Sequence, residues 1–228
     1  NRRYLHAHPE LSFQEFETSA FVKKQLDGMG ISWQPMANTG VVGIIKGEKS
    51  SDKVIALRAD MDALPITEAN DVAYKSCNEG VMHACGHDVH TASLLGVAAI
   101  LQSLISKFGG TVKLVFQPAE EKLPGGASLM IKEGVLTNPV PGGVIGQHVM
   151  PALPVGKIAL RTGKHMASMD ELFVTVRGKG GHGAQPHQNI DPVIITAHII
   201  VALQQIVSRR TDPFMPTVLS FGKQIANG

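Results

Sequence analysis

The sequence predicts an α/β fold: a mostly parallel sheet with helices on both faces, followed by a smaller α+β region. Three observations carry that expectation. Apolar strand-like runs alternate with helical stretches. The runs "VIAL", "TVKLVF" and "GGVIGQHV" each lead directly into ionisable residues, as strands do at the carboxyl edge of an open parallel sheet, where ligands bind. After about residue 165 the texture changes to a strand, a Gly-rich exit, a helix and a further strand, an opening of β-α-β type.

The elements follow in order. In "LSFQEFETSAFVKKQLDGMG", Ser12 and Glu15 are spaced as a capping box, with Leu11 and Phe16 at the staple positions. Phe13, Phe16, Ala20 and Phe21 keep to one helical face, and Gly28 or Gly30 can end the helix. A short strand pair is expected next, "GVVGIIKG" and "KVIALRADMD", around the polar turn "EKSSD". Residues 88–107 read as a helix with Leu94, Leu95, Val97, Ala98, Leu101 and Leu104 on its apolar side. "TVKLVF" (111–116) and "GGVIGQHV" are the next strands, the latter ending at His148. Beyond residue 165, "MDELFVTVRGKGGHGAQPH" reads as a strand with a Gly-rich exit, and "PTVLSFGKQIANG" as a further strand. Between them lies a helix with Asp191 as N-cap and Pro192 at its first position. The expected division is therefore 1–165 and 166–228, the second part lacking a closing element.

Composition narrows the function classes. With 228 residues, 43% of them hydrophobic, the chain can bury a substantial core. Its formal net charge is +2, its cations are scattered and only 5% of its residues are aromatic. That argues against nucleic acid as a partner. The apolar stretch "ASLLGVAAILQSLI" is broken by Ser and Gln and is too short to span a bilayer. The opening "NRRYLHAHPE" has no signal-peptide run. No membrane partner is expected. The chain does not start with Met, so it is expected to begin inside a longer protein. Its two cysteines, Cys77 and Cys85, are fewer than a small secreted scaffold would use. A reduced, cytoplasmic protein is the simpler reading.

Chemistry concentrates in "VMHACGHDVH" (81–90). Cys85 and His87 are separated only by Gly86, so both side chains can reach one point. Thiolate and imidazole suit a borderline-soft ion such as Zn²⁺, but the same residues also fit a buried Cys beside a solvated His. Glu120 and Glu121, in "FQPAEE", are adjacent acids just past a buried strand. On a solvated loop such a pair carries no function. At a strand end, one carboxylate can ligate a metal while the other handles a proton. His148 is either a satisfied core histidine or a ligand at the same edge. Asp60 and Asp62, two apart, share a face if the strand continues, and can ligate or buttress a histidine. "GKGGHG" (178–183) formally matches a dinucleotide fingerprint, but the helix it requires is absent, with Pro186 and Pro192 following instead. Its glycines more simply turn the backbone around His182.

Taken together, "RRYLHAHPELSFQE", "LRADMDALPI", "MHACGHDVHTA", "FQPAEE", "GQHVMPALPVGKI" and "RGKGGHGAQPH", in that order, resemble a known family. It is that of the metal-dependent amidohydrolases that include hippurate hydrolase, N-acyl-amino-acid deacetylases and auxin-conjugate hydrolases, within the wider aminoacylase and carboxypeptidase superfamily. The resemblance covers nearly the whole chain. It implies a catalytic α/β domain holding two divalent metal ions, with Zn first expected and Mn, Co or Ni compatible, plus a smaller lid that forms a homodimer. It implies that Cys85, His87, Glu121 and His148 are metal ligands and Glu120 the general base. It also implies that Asp62 orients a ligand and that His182 binds substrate or the oxyanion. The superfamily's strand-end motif reads His-x-Asp, whereas this chain has Asp60-Met61-Asp62, with Cys85 taking over a ligand role. The family supplies a last His ligand from beyond the lid, and no such segment is present, which implies either a longer gene product or a chain unable to hold both metals. The implied activity is hydrolysis of N-acyl amino acids. The alternatives are a dipeptidase or carboxypeptidase on the same scaffold and, more distantly, a non-catalytic metal-binding protein.

Overall fold

The computed structural model of the protein describes residues 1–163 and 168–226. They fall into two units, Asn1–Ala159 and Leu160–Gly228. The first runs α1 (Arg2–Ala7), α2 (Phe16–Gly28), β1 (Ser32–Met36), β2 (Gly40–Lys46), β3 (Lys49–Asp60), α3 (His87–Ser103), β4 (Gly109–Gln117), α4 (Gly126–Lys132) and β5 (Val144–Gly146). The five strands form one sheet in the order β1-β2-β4-β3-β5. β4, β3 and β5 run parallel, and β2 and β1 extend the sheet antiparallel.

β2 and β3 are consecutive in sequence but are not neighbours, because β4 lies between them. Its side chains explain the placement. Val112, Leu114 and Phe116 join the core on one face, and Val115 joins the core on the other. A strand apolar on both faces belongs in the sheet interior. Helices cover both faces, as the sequence leads one to expect. On the first face, Val22 and Leu26 of α2 and Leu94, Leu95 and Ala98 of α3 pack on Val41, Ile45, Leu114 and Phe116. On the second, Met130 of α4 and Val135 pack on Val42, Ala56 and Val115. The second face also holds a buried cation: Lys113 donates from Nζ to the carbonyls of Val135, Thr137 and Pro139 at 2.8, 2.6 and 3.0 Å.

The capping box does not form. Glu15 is the N-cap of α2 but makes no side-chain cap. Instead Glu10 accepts from the Glu17 and Thr18 N–H groups at 3.1 and 2.8 Å. Ser12 and Glu15 are buried and bond to distant segments, described below. The buried face of α2 is Thr18, Ser19, Val22 and Leu26, and Phe16 is exposed.

The second unit contains α5 (Pro192–Gln205), with Asp191 accepting from the Val193 and Ile194 N–H groups and Pro192 at the first position. Neither expected strand forms among the described residues of this unit; its one ladder contact is the bridge between Lys179 and Ile190. Leu172, Phe173 and Val174 remain exposed, without a strand partner to pair with. By length and composition, the helix Pro192–Arg210 is long and apolar enough to cross a membrane.

Candidate metal centre

The carboxyl ends of β3, β4 and β5 and the first turn of α3 meet at one edge of the sheet. β3 delivers Asp60 and, just past it, Asp62. β4 leads into Glu120 and Glu121. His148 follows β5 by two residues. On α3, His87 and His90 are three residues apart, so both face the same side, and both are buried. Gly86, which precedes the helix, has φ +89°, and a Cβ on it would lie 2.3 Å from Val149 Cγ2. Only glycine meets both conditions.

Among the described residues, three groups bring potential ligand atoms within 4.8 Å of one another: Cys85–His87–His148, His87–Glu120–Glu121 and Asp60–His87–His90. His87 belongs to all three. Its Nδ1 lies 3.2 Å from Asp62 Oδ1. Its Nε2 is buried without a hydrogen-bond partner, 3.7 Å from both Asp60 Oδ2 and Glu121 Oε1. Glu121 Oε1 is likewise buried and unpartnered. His148 Nδ1 lies 2.7 Å from the Val149 carbonyl, which accepts its proton and leaves Nε2 with a free lone pair, 3.4 Å from Cys85 Sγ. A buried polar atom without a partner is costly. Two such atoms aimed at one point beside a thiol are what a cation would satisfy.

The electrostatics agree. Burial, then the Glu121, Glu120 and Asp60 carboxylates, push the Cys85 thiol up to about 12. A divalent ion inverts that logic, because coordination deprotonates a thiol outright. Burial raises the Asp62 carboxyl, but hydrogen bonds from His87, Ser12 and the backbone N–H groups of Glu121 and Glu120 outweigh it and bring the pKa down to about 2. Asp62 is therefore a fixed anion behind His87. Burial and then Glu121 raise Glu120, the direction that suits a group taking a proton near neutrality. The donor set of one thiol, imidazoles and carboxylates fits a borderline-soft divalent cation.

Most of the residues singled out in the sequence converge here: Cys85, His87, Glu120, Glu121, His148 and Asp62. His182 belongs to the second unit, where it is exposed; its Nδ1 accepts the Ala184 N–H at 3.1 Å. Cys77 and Cys85 are both free thiols. Sequence reasoning missed two supports. Ser12 Oγ donates to Asp62 Oδ2 at 2.6 Å. Glu15, fully buried, accepts from the Ala119 N–H at 2.7 Å, the Phe13 N–H at 3.0 Å and Thr39 Oγ1 at 2.6 Å. Ala119 has φ +46° and immediately precedes Glu120, so Glu15 anchors a strained residue at the acid pair. No local signal marks either residue, because the Ser12-x-x-Glu15 spacing reads equally well as a cap on the helix that follows.

The chain is also similar to known proteins over nearly its whole length. The chain is 47% identical to an N-acyl-L-amino acid amidohydrolase of Geobacillus stearothermophilus, in an alignment covering 99% of this chain and 60% of the relative. It is 46% identical to thermostable carboxypeptidase 2 of Saccharolobus solfataricus, over 96% of this chain and 56% of that protein. It thus spans somewhat under two thirds of the length of these relatives. A Bacillus subtilis crystal structure described as a dinuclear metal binding peptidase from the M20 family superposes with a TM-score of 0.67 at 44% identity, over 71% of this chain and 45% of that one. The profile of peptidase family M20/M25/M40 matches residues 56–224, and the chain belongs to that family.

Proposed function

We propose that the full-length protein carrying this chain hydrolyses the amide bond of N-acyl amino acids in a reaction that depends on divalent metal ions. The observation that carries this reading is the convergence of Cys85, His87, His148, Glu120 and Glu121, with His87 Nε2 and Glu121 Oε1 buried and unpartnered. Cys85, His87, Glu121 and His148 would hold the ions, two in number, with Zn²⁺ first expected on a thiolate–imidazole set and Mn, Co or Ni compatible. When bound, such ions supply Lewis acidity and lower the pKa of water to about 7.

The chain's own residues supply the rest. Glu120, beside Glu121 but not needed as a tight ligand, takes the proton from the water that attacks the amide carbonyl. It then returns that proton to the leaving amine. Asp62 holds the His87 ring so that Nε2 faces the site. His182 accepts a backbone N–H at Nδ1, so its neutral ring carries the proton on Nε2, a donor suited to an oxyanion. The amidohydrolase name of the Geobacillus relative supports the substrate class. The free Cys77 and Cys85 support a reducing, cytoplasmic setting. The exposed apolar residues of α5, Ile194 and Val201 among them, support a homodimer through the second unit.

Glu120→Gln tests the mechanism. The variant keeps its metal content, and kcat falls by about 10²–10⁴. Parental hydrolysis of N-acetyl or N-benzoyl amino acids by this variant would remove Glu120 from the reaction. A second reading, carboxypeptidase action on the same scaffold, draws on the Saccharolobus relative. Comparing kcat/KM on N-acyl amino acids and on short peptides separates the two.

A further inference from the structure

We propose that His90 is a positioning residue for His148, and that Asp60, through His90, does for His148 what Asp62 does directly for His87. The inference rests on the reading of His148 as a metal ligand.

The argument begins with a proton count. The Val149 backbone N–H lies 2.9 Å from His90 Nε2. A backbone N–H can only donate, so Nε2 accepts with its lone pair. The proton of the neutral ring is therefore on Nδ1, which donates to Asp60 Oδ1 at 2.6 Å. Both ring nitrogens are then occupied. His90 has no lone pair left for a cation, although it lies within ligand range of Asp60 and His87.

Behind His90 the chain is firmly held. Asp60 Oδ2 accepts from Arg58 Nη1 at 2.6 Å, and Arg58 Nε donates to Gln117 Oε1 at 2.8 Å, which ties β3 to the end of β4. Thr91 Oγ1 donates to the Asp60 carbonyl at 2.7 Å. In front of His90 the chain is not held by regular structure. β5 is three residues long and ends at Gly146, and residues 147–150 belong to no helix or strand. His148 itself is exposed.

What fixes His148 is Val149. The Val149 N–H is bound by His90, and the Val149 carbonyl accepts from His148 Nδ1 at 2.7 Å. That last bond sets the His148 tautomer and leaves Nε2 toward Cys85 Sγ. The His90 and His148 rings also pack edge to face, with centroids 4.7 Å apart. The relay therefore runs from Arg58 through Asp60, His90 and Val149 to His148. Two aspartates on one strand end each orient a different histidine, one by a direct bond and one through an intermediary.

The test uses His90→Gln, His90→Asn and His148→Ala in the full-length protein. Gln can place its carbonyl where Nε2 accepts from Val149. Asn reaches Asp60 but not Val149. Metal affinity is read by equilibrium dialysis with elemental analysis, and site geometry by the absorption spectrum of the Co²⁺-substituted protein. His90→Asn is expected to weaken one of the bound ions by about 10–100-fold, as loss of a group that orients a ligand does, and to alter the Co²⁺ spectrum. His90→Gln is expected to stay within a few-fold of the parent. Parental affinity and spectrum in His90→Asn would overturn the proposal. Equal loss in both His90 variants would show that accepting the Val149 N–H is not what His90 contributes, which overturns it as well. His148→Ala isolates the underlying reading: if that variant keeps both ions at parental affinity, His148 is not a ligand and the relay has nothing to position.

Discussion

Ser12 shows how much a single hydroxyl can carry. Its 2.6 Å bond to Asp62 Oδ2 falls on the same oxygen that accepts the Glu121 N–H at 3.0 Å. Asp62 Oδ1 meanwhile faces His87 Nδ1. One small side chain from the segment before α2 thus fixes the anion that orients His87 and touches the backbone of the acid pair. Hydrogen bonds to charged groups contribute about 1.5–3 kcal/mol, so Ser12→Ala is expected to destabilise the protein by that amount. Urea unfolding of the two proteins measures it. A shift under about 0.5 kcal/mol, the range of a neutral surface change, would mean that water replaces the hydroxyl without loss. Such a bond is invisible in sequence, because nothing in "LSFQE" distinguishes a serine aimed 50 residues ahead from one that caps its own helix.

At the scale of elements, α3 does the most for the site, and its start is the sensitive point. Gly86 in a left-handed conformation lets the chain turn from Cys85 into the helix that presents His87 and His90. Its missing Cβ leaves room for Val149. Gly86→Ala would strain φ and push Val149 away, so both the His90 bond and the His148 geometry should suffer. Weakened metal binding with α3 still folded by circular dichroism is the expected result, and unchanged metal binding would show that the loop yields freely. Elements of this kind were legible in the sequence. Strand ends rich in acids, a Gly between Cys and His, and a Pro after an Asp N-cap each have a local cause. β4's place between β2 and β3 was not legible, because it depends on both of its faces being buried at once. The apolar runs at 171–176 and 216–221 read as strands by composition, yet a strand is defined by its partner, and none pairs with them among the described residues. The site itself was legible in its ligand-type residues and hidden in its supports, Ser12 and Glu15, whose partners Asp62 and Ala119 lie far away in sequence.

Across the whole first unit, the long segment between β3 and α3 poses the main problem of stability. Residues 61–86 contain no helix or strand; one isolated bridge, Leu11 with Ala63, ties them to another segment, and a second, Leu64 with Met82, closes within them. A buried charged network replaces regular structure there. His6 of α1 lies between Asp88 at 2.8 Å and Glu68 at 3.1 Å, and Arg2 donates to Asp88 at 2.7 Å. Glu68 also accepts from the Ser76 N–H at 2.7 Å and from Asn70 Nδ2 at 3.1 Å. It thereby gathers α1 and both halves of the segment around one carboxylate. Burial pushes the Glu68 carboxyl up, but the bonds from Ser76, His6 and Asn70 outweigh it and lower the pKa from its ordinary 4.5 to about 2. The folded carboxyl binds its proton less readily than the unfolded one, so its contribution is complete above about pH 4.5 and is lost as the pH falls toward 2. Urea unfolding followed by the fluorescence of Trp33, the one tryptophan of this chain, should show stability falling over that acid range. Glu68→Gln should be less stable near neutral pH and show a shallower acid loss, because Asp60 and Asp62, also lowered, still titrate. An acid slope as steep as the parent's would mean that Glu68 titrates alike in both states and that other contacts hold the segment in place.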